Sequence, residues 1–120
     1  MISSKLFVCG ALFHLLGGYA VSSALANGET PKSIVHTVEI IGFEFVPDKL
    51  TIRVGDTVRW VNKDIAPHTA TASKTNSGEA WDSGRLNRLE SWRFTANTVG
   101  ETSYICTYHP MMKASITVKN

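Results

Sequence analysis

The chain has 120 residues, with twelve lysines and arginines against ten acidic residues and a formal net charge of +2. Its charges are well mixed along the sequence, which excludes the basic stripe of a nucleic-acid or polyanion binder. The length suits one small domain and leaves no room for a second.

The first 26 residues predict a secretory signal peptide. A single positive charge, Lys5, precedes a mostly apolar run from Leu6 to Leu25, and the small-residue pattern Ala24-Leu25-Ala26 closes it. Cleavage after Ala26 would release residues 27–120 into the periplasm as one domain that is not inserted in the membrane. The alternative is a retained membrane anchor, because the apolar run approaches the roughly 20 residues that a spanning helix needs.

Beyond a polar lead-in, the sequence has the period-2 alternation of β-strands and almost no helical pattern. Leu50, Ile52 and Val54 share one face, and Val58 and Trp60 share another. The turn signal Gly55-Asp56 between these two runs predicts either a hairpin or a corner between two sheets. The alternation extends over residues 34–62, and further short strands are predicted in 68–73, 91–95, 102–106 and 114–119. About seven or eight short strands predict an all-β fold, a Greek-key β-sandwich.

One cysteine remains after the signal peptide is removed. Cys9 leaves with the signal peptide, so Cys106 has no partner for an internal disulfide. A lone thiol is a liability in an oxidising compartment. Cys106 is therefore either a buried and inert side chain, as most free cysteines are, or a thiolate held by a metal.

The segment YICTYHPMMKASITV places Cys106, His109 and Met112 at C-x-x-H-x-x-M spacing between two predicted strands. A second histidine, His68, lies 38 positions before the cysteine and follows a turn rigidified by Pro67. Loops at one end of a sandwich are neighbours in space, so these distant segments can share a site.

Two imidazoles, a thiolate and a thioether form a donor set of intermediate to soft character. Two histidines and a cysteine in a plane with a weak axial methionine suit copper in both oxidation states. Zinc is the competitor, although its fourth ligand is usually cysteine, histidine, carboxylate or water. The spacing therefore predicts a metal site and favours copper.

Three stretches of the sequence resemble the cupredoxins, the small blue copper proteins, and among them amicyanin and the related pseudoazurins and plastocyanins. These stretches are HTVEIIGFEFVPDKLTIRVGDTVRWVNKDIAPHT, WDSGRL and CTYHPMM. The short spacing within the last stretch is similar to that of amicyanin. Three positions, Thr69, Thr102 and Tyr108, depart from the residues usual in the family and leave the predicted ligand set intact.

The resemblance implies a cupredoxin fold and one type 1 copper ion per chain. Its implied ligands are His68, Cys106, His109 and Met112. It also implies a periplasmic, monomeric one-electron carrier, not an enzyme, that receives electrons from a dehydrogenase and passes them to a c-type cytochrome. The expected contact surface is an apolar patch around His109, formed by Pro67, Pro110 and Met111.

Two other functions fit the same residues. A copper carrier or storage protein would also bind Cu(I) through cysteine, histidine and methionine, and a relay subunit of a larger oxidoreductase would use the same domain. His36 lies in a predicted strand with no cysteine or methionine nearby and is predicted to be structural. Most of five aromatic side chains are expected in the core: Phe43, Phe45, Trp60, Trp92 and Phe94.

Overall fold

The computed structural model describes residues 28–73 and 78–120. The predicted signal peptide, residues 1–26, lies outside the described residues. Within the described ranges, no helix is long and apolar enough to cross a membrane. The described strands are β1 (Val35–Ile41), β2 (Glu44–Val46), β3 (Lys49–Arg53), β4 (Thr57–Asn62), β5 (Thr71–Ala72), β6 (Trp81–Asp82), β7 (Ser91–Thr95), β8 (Gly100–Ile105) and β9 (Lys113–Lys119).

These strands form two sheets, which confirms the predicted β-sandwich. One sheet has the order β2-β1-β4-β7 and the other the order β3-β9-β8-β5-β6. Both are mixed, because β1 and β4 are parallel, as are β3 and β9, while the remaining pairs are antiparallel. The described strands number nine rather than seven or eight, since the two-residue strands β5 and β6 count separately.

The core lies between the sheets, where the alternating side chains of each sheet face the other. The four-stranded sheet contributes Val38, Ile40, Val58 and Trp60, and the five-stranded sheet contributes Ile52, Tyr104, Ile116 and Val118. The period-2 alternation of the sequence therefore places these side chains in one apolar layer. Burial in this layer also raises the pKa of the Tyr104 hydroxyl above its ordinary range.

The segment Gly55-Asp56 makes a corner between the sheets rather than a hairpin. β3 pairs with β9, whereas β4 pairs with β1 and β7, so the chain changes sheets at this turn. Gly55 adopts a φ of 92°, which glycine reaches without the steric cost that a Cβ would bring.

The parallel pairing of β1 and β4 gathers the predicted site at one end of the sandwich. The residues that follow β1 and those that follow β4 lie at the same end of the sheet. Gly42 and Phe43 form the turn after β1, and the loop from Lys63 to Pro67 follows β4 and leads to His68.

Candidate metal centre

His68 is fixed at the edge of the sandwich by backbone pairing with a distant segment. Its amide donates to the Leu86 carbonyl at 3.1 Å, and the Leu86 amide donates back to the His68 carbonyl at 2.8 Å. The predicted strand 68–73 is shorter in the structure: only Thr71 and Ala72 form β5, and His68 makes an isolated bridge. The His68 side chain is fully buried.

Cys106 directly follows β8, and the loop from Cys106 to Met112 is closed by three backbone hydrogen bonds. The His109 amide donates to the Cys106 carbonyl at 3.2 Å, and the Met112 amide donates to the His109 carbonyl at 2.9 Å. The Cys106 amide donates across the loop to the Met112 carbonyl at 3.2 Å. Two successive turns therefore set the positions of the cysteine, the histidine and the methionine.

Three predicted ligand atoms converge in space. Cys106 Sγ lies 3.6 Å from His68 Nδ1 and 3.7 Å from His109 Nδ1, and the two Nδ1 atoms are 3.2 Å apart. Among the histidines, cysteines and acidic residues that the structure describes, these three form the group whose ligand atoms are close enough to hold one metal ion.

The triangle has the size that a transition-metal ion requires. Its three sides place a central point about 2.0 Å from each atom, and zinc bonds to imidazole nitrogen and thiolate sulfur measure roughly 2.0–2.3 Å. The three donors thus fit a trigonal site for copper or zinc. Met112 is 3 % exposed and is tied to Cys106 and His109 through the loop backbone. A nearby thioether in place of a carboxylate favours copper.

The surroundings of Cys106 suit a thiolate. The side chain is fully buried, and its thiol forms no disulfide within the described residues. The Thr69 amide donates to Cys106 Sγ at 3.3 Å, a bond that is stronger when the sulfur is charged. The Thr69 hydroxyl accepts a bond from the Thr107 amide at 2.9 Å and so joins the two ligand segments.

Asp64 orients His68. Its Oδ2 lies 2.9 Å from His68 Nε2, which leaves Nδ1 directed at Cys106. Burial alone would raise the pKa of the Asp64 carboxyl, but bonds from the Phe43 and Gly42 amides and from His68 together hold it below its ordinary range. A charged carboxylate on the outer nitrogen of a ligand histidine fixes the tautomer of the ring and makes it a better donor.

Phe43 covers the two histidines. Its ring stands nearly perpendicular to both imidazoles, with centroid distances of 5.2 Å to His68 and 4.9 Å to His109. The prediction that most of the five aromatics are core residues holds for Phe45 and Trp60, which are buried, and for Trp92 and Phe94, which pack against the core. Phe43 differs because half of its surface is exposed.

The sequence reasoning assigned no site role to Asp64 or Phe43. Asp64 lies in an Asx-type turn, in which its amide donates to Asn62 Oδ1 at 2.9 Å. The signal that could have revealed its second role is an acidic residue four positions before a candidate ligand. Phe43 carried a signal too, since a bulky residue beside Gly42 in a two-residue turn is unusual.

His36 lies away from the metal cluster, as predicted. Its Nε2 is 2.9 Å from Asp56 Oδ2, and Asp56 also accepts bonds from the Ile34 and Arg53 amides. These contacts tie the start of β1 to the corner before β4. They give His36 the structural role that the sequence indicated.

Comparison with known proteins supports the chemistry of this site. The model of the family described as "Copper binding proteins, plastocyanin/azurin family" matches residues 32–119. The amicyanin of Paracoccus versutus is 28 % identical over 121 residues, which cover 95 % of this chain and 89 % of that protein.

Two solved structures share the fold. A Cu(I) structure of an amicyanin variant superposes with a TM-score of 0.66 at 27 % identity and covers 71 % of this chain and 82 % of that one. The copper-containing nitrite reductase of Thermus scotoductus superposes with a TM-score of 0.67 at 34 % identity. That match covers 71 % of this chain but 22 % of the reductase, so the similarity extends over one part of a much longer protein.

Proposed function

This chain belongs to the plastocyanin/azurin family of copper-binding proteins and is a type 1 copper electron carrier, and we propose that four of its side chains hold the ion. The proposed ligands are His68, Cys106, His109 and Met112. The observation that carries this assignment is the triangle of 3.2–3.7 Å formed by one sulfur and two imidazole nitrogens.

Bound copper would supply one-electron oxidation and reduction, and the protein supplies a fixed set of donors. Asp64 holds His68, the Thr69 amide stabilises the charge on Cys106, and the two turns of the 106–112 loop fix the remaining donors. Because these supports are built from backbone and buried groups, little of the site needs to rearrange when an electron arrives. No enzymatic step is proposed for it.

We further propose that redox partners approach over His109. The ring is partly exposed, and the proposed docking patch is formed by Pro67, which precedes His68, and by Pro110 and Met111, which follow His109; Met111 is 86 % exposed. Small apolar contacts suit weak partners that exchange quickly. By its similarity to amicyanin, the proposed donor is a dehydrogenase and the proposed acceptor is a c-type cytochrome. We expect a monomer that binds each partner in turn.

The proposed place of action is the periplasm. The apolar run that ends at Ala24-Leu25-Ala26 supports export and cleavage after Ala26. The working domain would then be residues 27–120.

The decisive experiment is to express the full chain with export to a bacterial periplasm, purify it, add Cu(II), and record visible and electron paramagnetic resonance spectra. We expect an intense thiolate-to-copper charge-transfer band that is absent in Cys106→Ala. A colourless protein that takes up Cu(I) or Zn(II) would refute the carrier assignment in favour of copper transport or storage. The intact mass of the same sample tests cleavage after Ala26.

A second candidate is a relay within a larger oxidoreductase. The nitrite reductase of Thermus scotoductus contains a region of this fold, and that similarity favours the alternative. The native elution volume separates the two functions. A lone small monomer supports the free carrier, whereas stable co-elution with an enzyme supports the relay.

A further inference from the structure

Phe43 adopts a backbone conformation that its side chain disfavours. Gly42 and Phe43 form the two-residue turn between β1 and β2, with φ values of 62° and 61°. Turns of this type favour glycine, asparagine and aspartate at both positions, because a Cβ at positive φ crowds the backbone. Asparagine at position 43 would build the same turn with less strain, so the turn does not explain the aromatic ring.

The contacts of the Phe43 ring explain why an aromatic residue occupies this position. It lies 4.9 Å from the His109 ring and 5.2 Å from the His68 ring, both within the range of edge-to-face aromatic contacts. The two imidazoles are themselves 5.0 Å apart, so one phenyl ring spans both. The other half of Phe43 is exposed to solvent.

The two histidines are restrained differently. His68 is buried and its Nε2 is held by Asp64, whereas no hydrogen bond to His109 Nε2 is formed within residues 28–73 and 78–120. His109 is also the more exposed of the two rings. His109 therefore has an aromatic contact with Phe43 and, within the described residues, no carboxylate contact like that of His68.

Asp64 anchors the backbone of the Phe43 turn as well. Its Oδ2 accepts a bond from the Phe43 amide at 2.9 Å, and its Oδ1 accepts one from the Gly42 amide at 2.7 Å. The same Oδ2 holds His68 Nε2 at 2.9 Å. One carboxylate thus binds both the strained turn and the buried imidazole, which ties the backbone of Phe43 to the site.

We propose that Phe43 is a positioning residue that holds the His109 ring in its metal-binding orientation and closes the outer side of the site. The inference rests on the proposed function in taking His68 and His109 as ligands. Its physical basis is steric: rotation of the His109 ring out of the triangle would have to displace an aromatic ring whose backbone is anchored at two amides.

The test compares three variants of the full chain. Phe43→Asn removes the ring in a residue that tolerates positive φ, and Phe43→Tyr keeps the ring. Leu89→Asn is the matched control, because Leu89 is the other described non-glycine residue at positive φ and is likewise an exposed apolar residue. Phe43→Gly gives the same ring deletion if the asparagine variant does not fold.

Two readouts are measured. The first is the rate at which Cu(II) passes from the protein to an excess of EDTA, and the second is the line width of the His109 ring resonances in the metal-free protein. We expect Phe43→Asn to lose copper about tenfold faster, as for other groups that orient metal ligands, and to broaden the His109 signals. Its metal-free melting temperature should stay at or above that of the wild type. Phe43→Tyr and Leu89→Asn should match the wild type in both readouts.

Wild-type copper loss and sharp His109 signals in Phe43→Asn would overturn the proposal. Equal acceleration in Leu89→Asn would also overturn it, because the effect would then come from loosened turns in general. If the wild type takes up no Cu(II), the proposed function fails, and the resonances of the metal-free protein still decide the role of Phe43.

Discussion

The two ends of the four-stranded sheet carry the same motif with different outcomes. At one end Asp64 binds His68 Nε2 at 2.9 Å and accepts the amides of Gly42 and Phe43. At the other end, roughly 20 Å away along the strands, Asp56 binds His36 Nε2 at 2.9 Å and accepts the amides of Ile34 and Arg53. Each aspartate therefore links a residue flanking β1 to the flank of β4.

What differs is the surroundings of the second ring nitrogen. His68 Nδ1 lies 3.6 Å from Cys106 Sγ and 3.2 Å from His109 Nδ1, so the pair orients a metal donor. His36 belongs to no metal-binding group among the described residues, and its pair serves only to hold the strand start. The histidine–aspartate pair thus fixes an imidazole ring at both ends. The ring becomes a metal donor only where another chain segment places further donors beside its second nitrogen.

Removal of each histidine should give the largest difference between the two ends of the sheet. His68→Ala should abolish the charge-transfer band, since it deletes one of three close donors. His36→Ala should leave the band intact and lower the urea midpoint of the metal-free protein. Visible spectra of copper-loaded samples check both variants. A lost band in His36→Ala, in protein that remains folded, would contradict the division of roles.

Neutralising the two aspartates should give the next largest difference. Asp64→Asn should weaken copper binding about 10–100-fold, because His68 loses the partner that fixes its tautomer and orientation. Asp56→Asn should leave copper affinity unchanged and is the matched control. Competition against a chelator measures both affinities. Equal affinities in the two variants would show that the Asp64 contact does not act on the metal site.

A negative charge added at each end tests whether electron self-exchange depends on the docking patch or on the surface in general. Met111→Glu should slow electron self-exchange between two copies about tenfold, which corresponds to about 1.4 kcal/mol, because a carboxylate is then desolvated and faces its copy. Val99→Glu adds the same charge on an exposed apolar residue before β8, at the far end, and should change nothing. Line broadening in mixtures of Cu(I) and Cu(II) protein gives the rate. Equal slowing in both variants would place the contact surface elsewhere.

The smallest effect concerns acid stability at the structural end. The Ile34 amide, then His36 and the Arg53 amide, lower the pKa of Asp56 from 3.8 to about 2. Because the folded state holds the charged form, its stabilising contribution is complete above about pH 4 and is lost as the pH falls towards 2. The urea midpoints of metal-free wild type and Asp56→Asn should therefore converge between pH 4 and pH 2. A gap that stays constant down to pH 2 would contradict this role.

Part of the donor cluster was predictable from the sequence because the signal of that part is local. Cys106, His109 and Met112 fall within one short loop, where residue spacing and turn geometry largely fix the arrangement. The sandwich was likewise predictable, since alternation in β1, β4, β8 and β9 becomes burial on one face. The number of strands was less accurate, because the two-residue strands β5 and β6 are too short to show a period.

The period-2 pattern, the donor types and their spacing are properties of the sequence, and they indicate the family and its metal. The tertiary structure adds how closely the two predicted histidines approach the sulfur, that Asp64 supports His68, and why a phenylalanine occupies a strained turn. The contacts that bring separate segments together span long stretches of sequence: His68 and Cys106 are 38 positions apart, and Phe43 and Asp64 are 21 positions apart. Local periodicity specifies which face of a strand a side chain lies on, but it does not specify the partners that strand pairing brings to the same end.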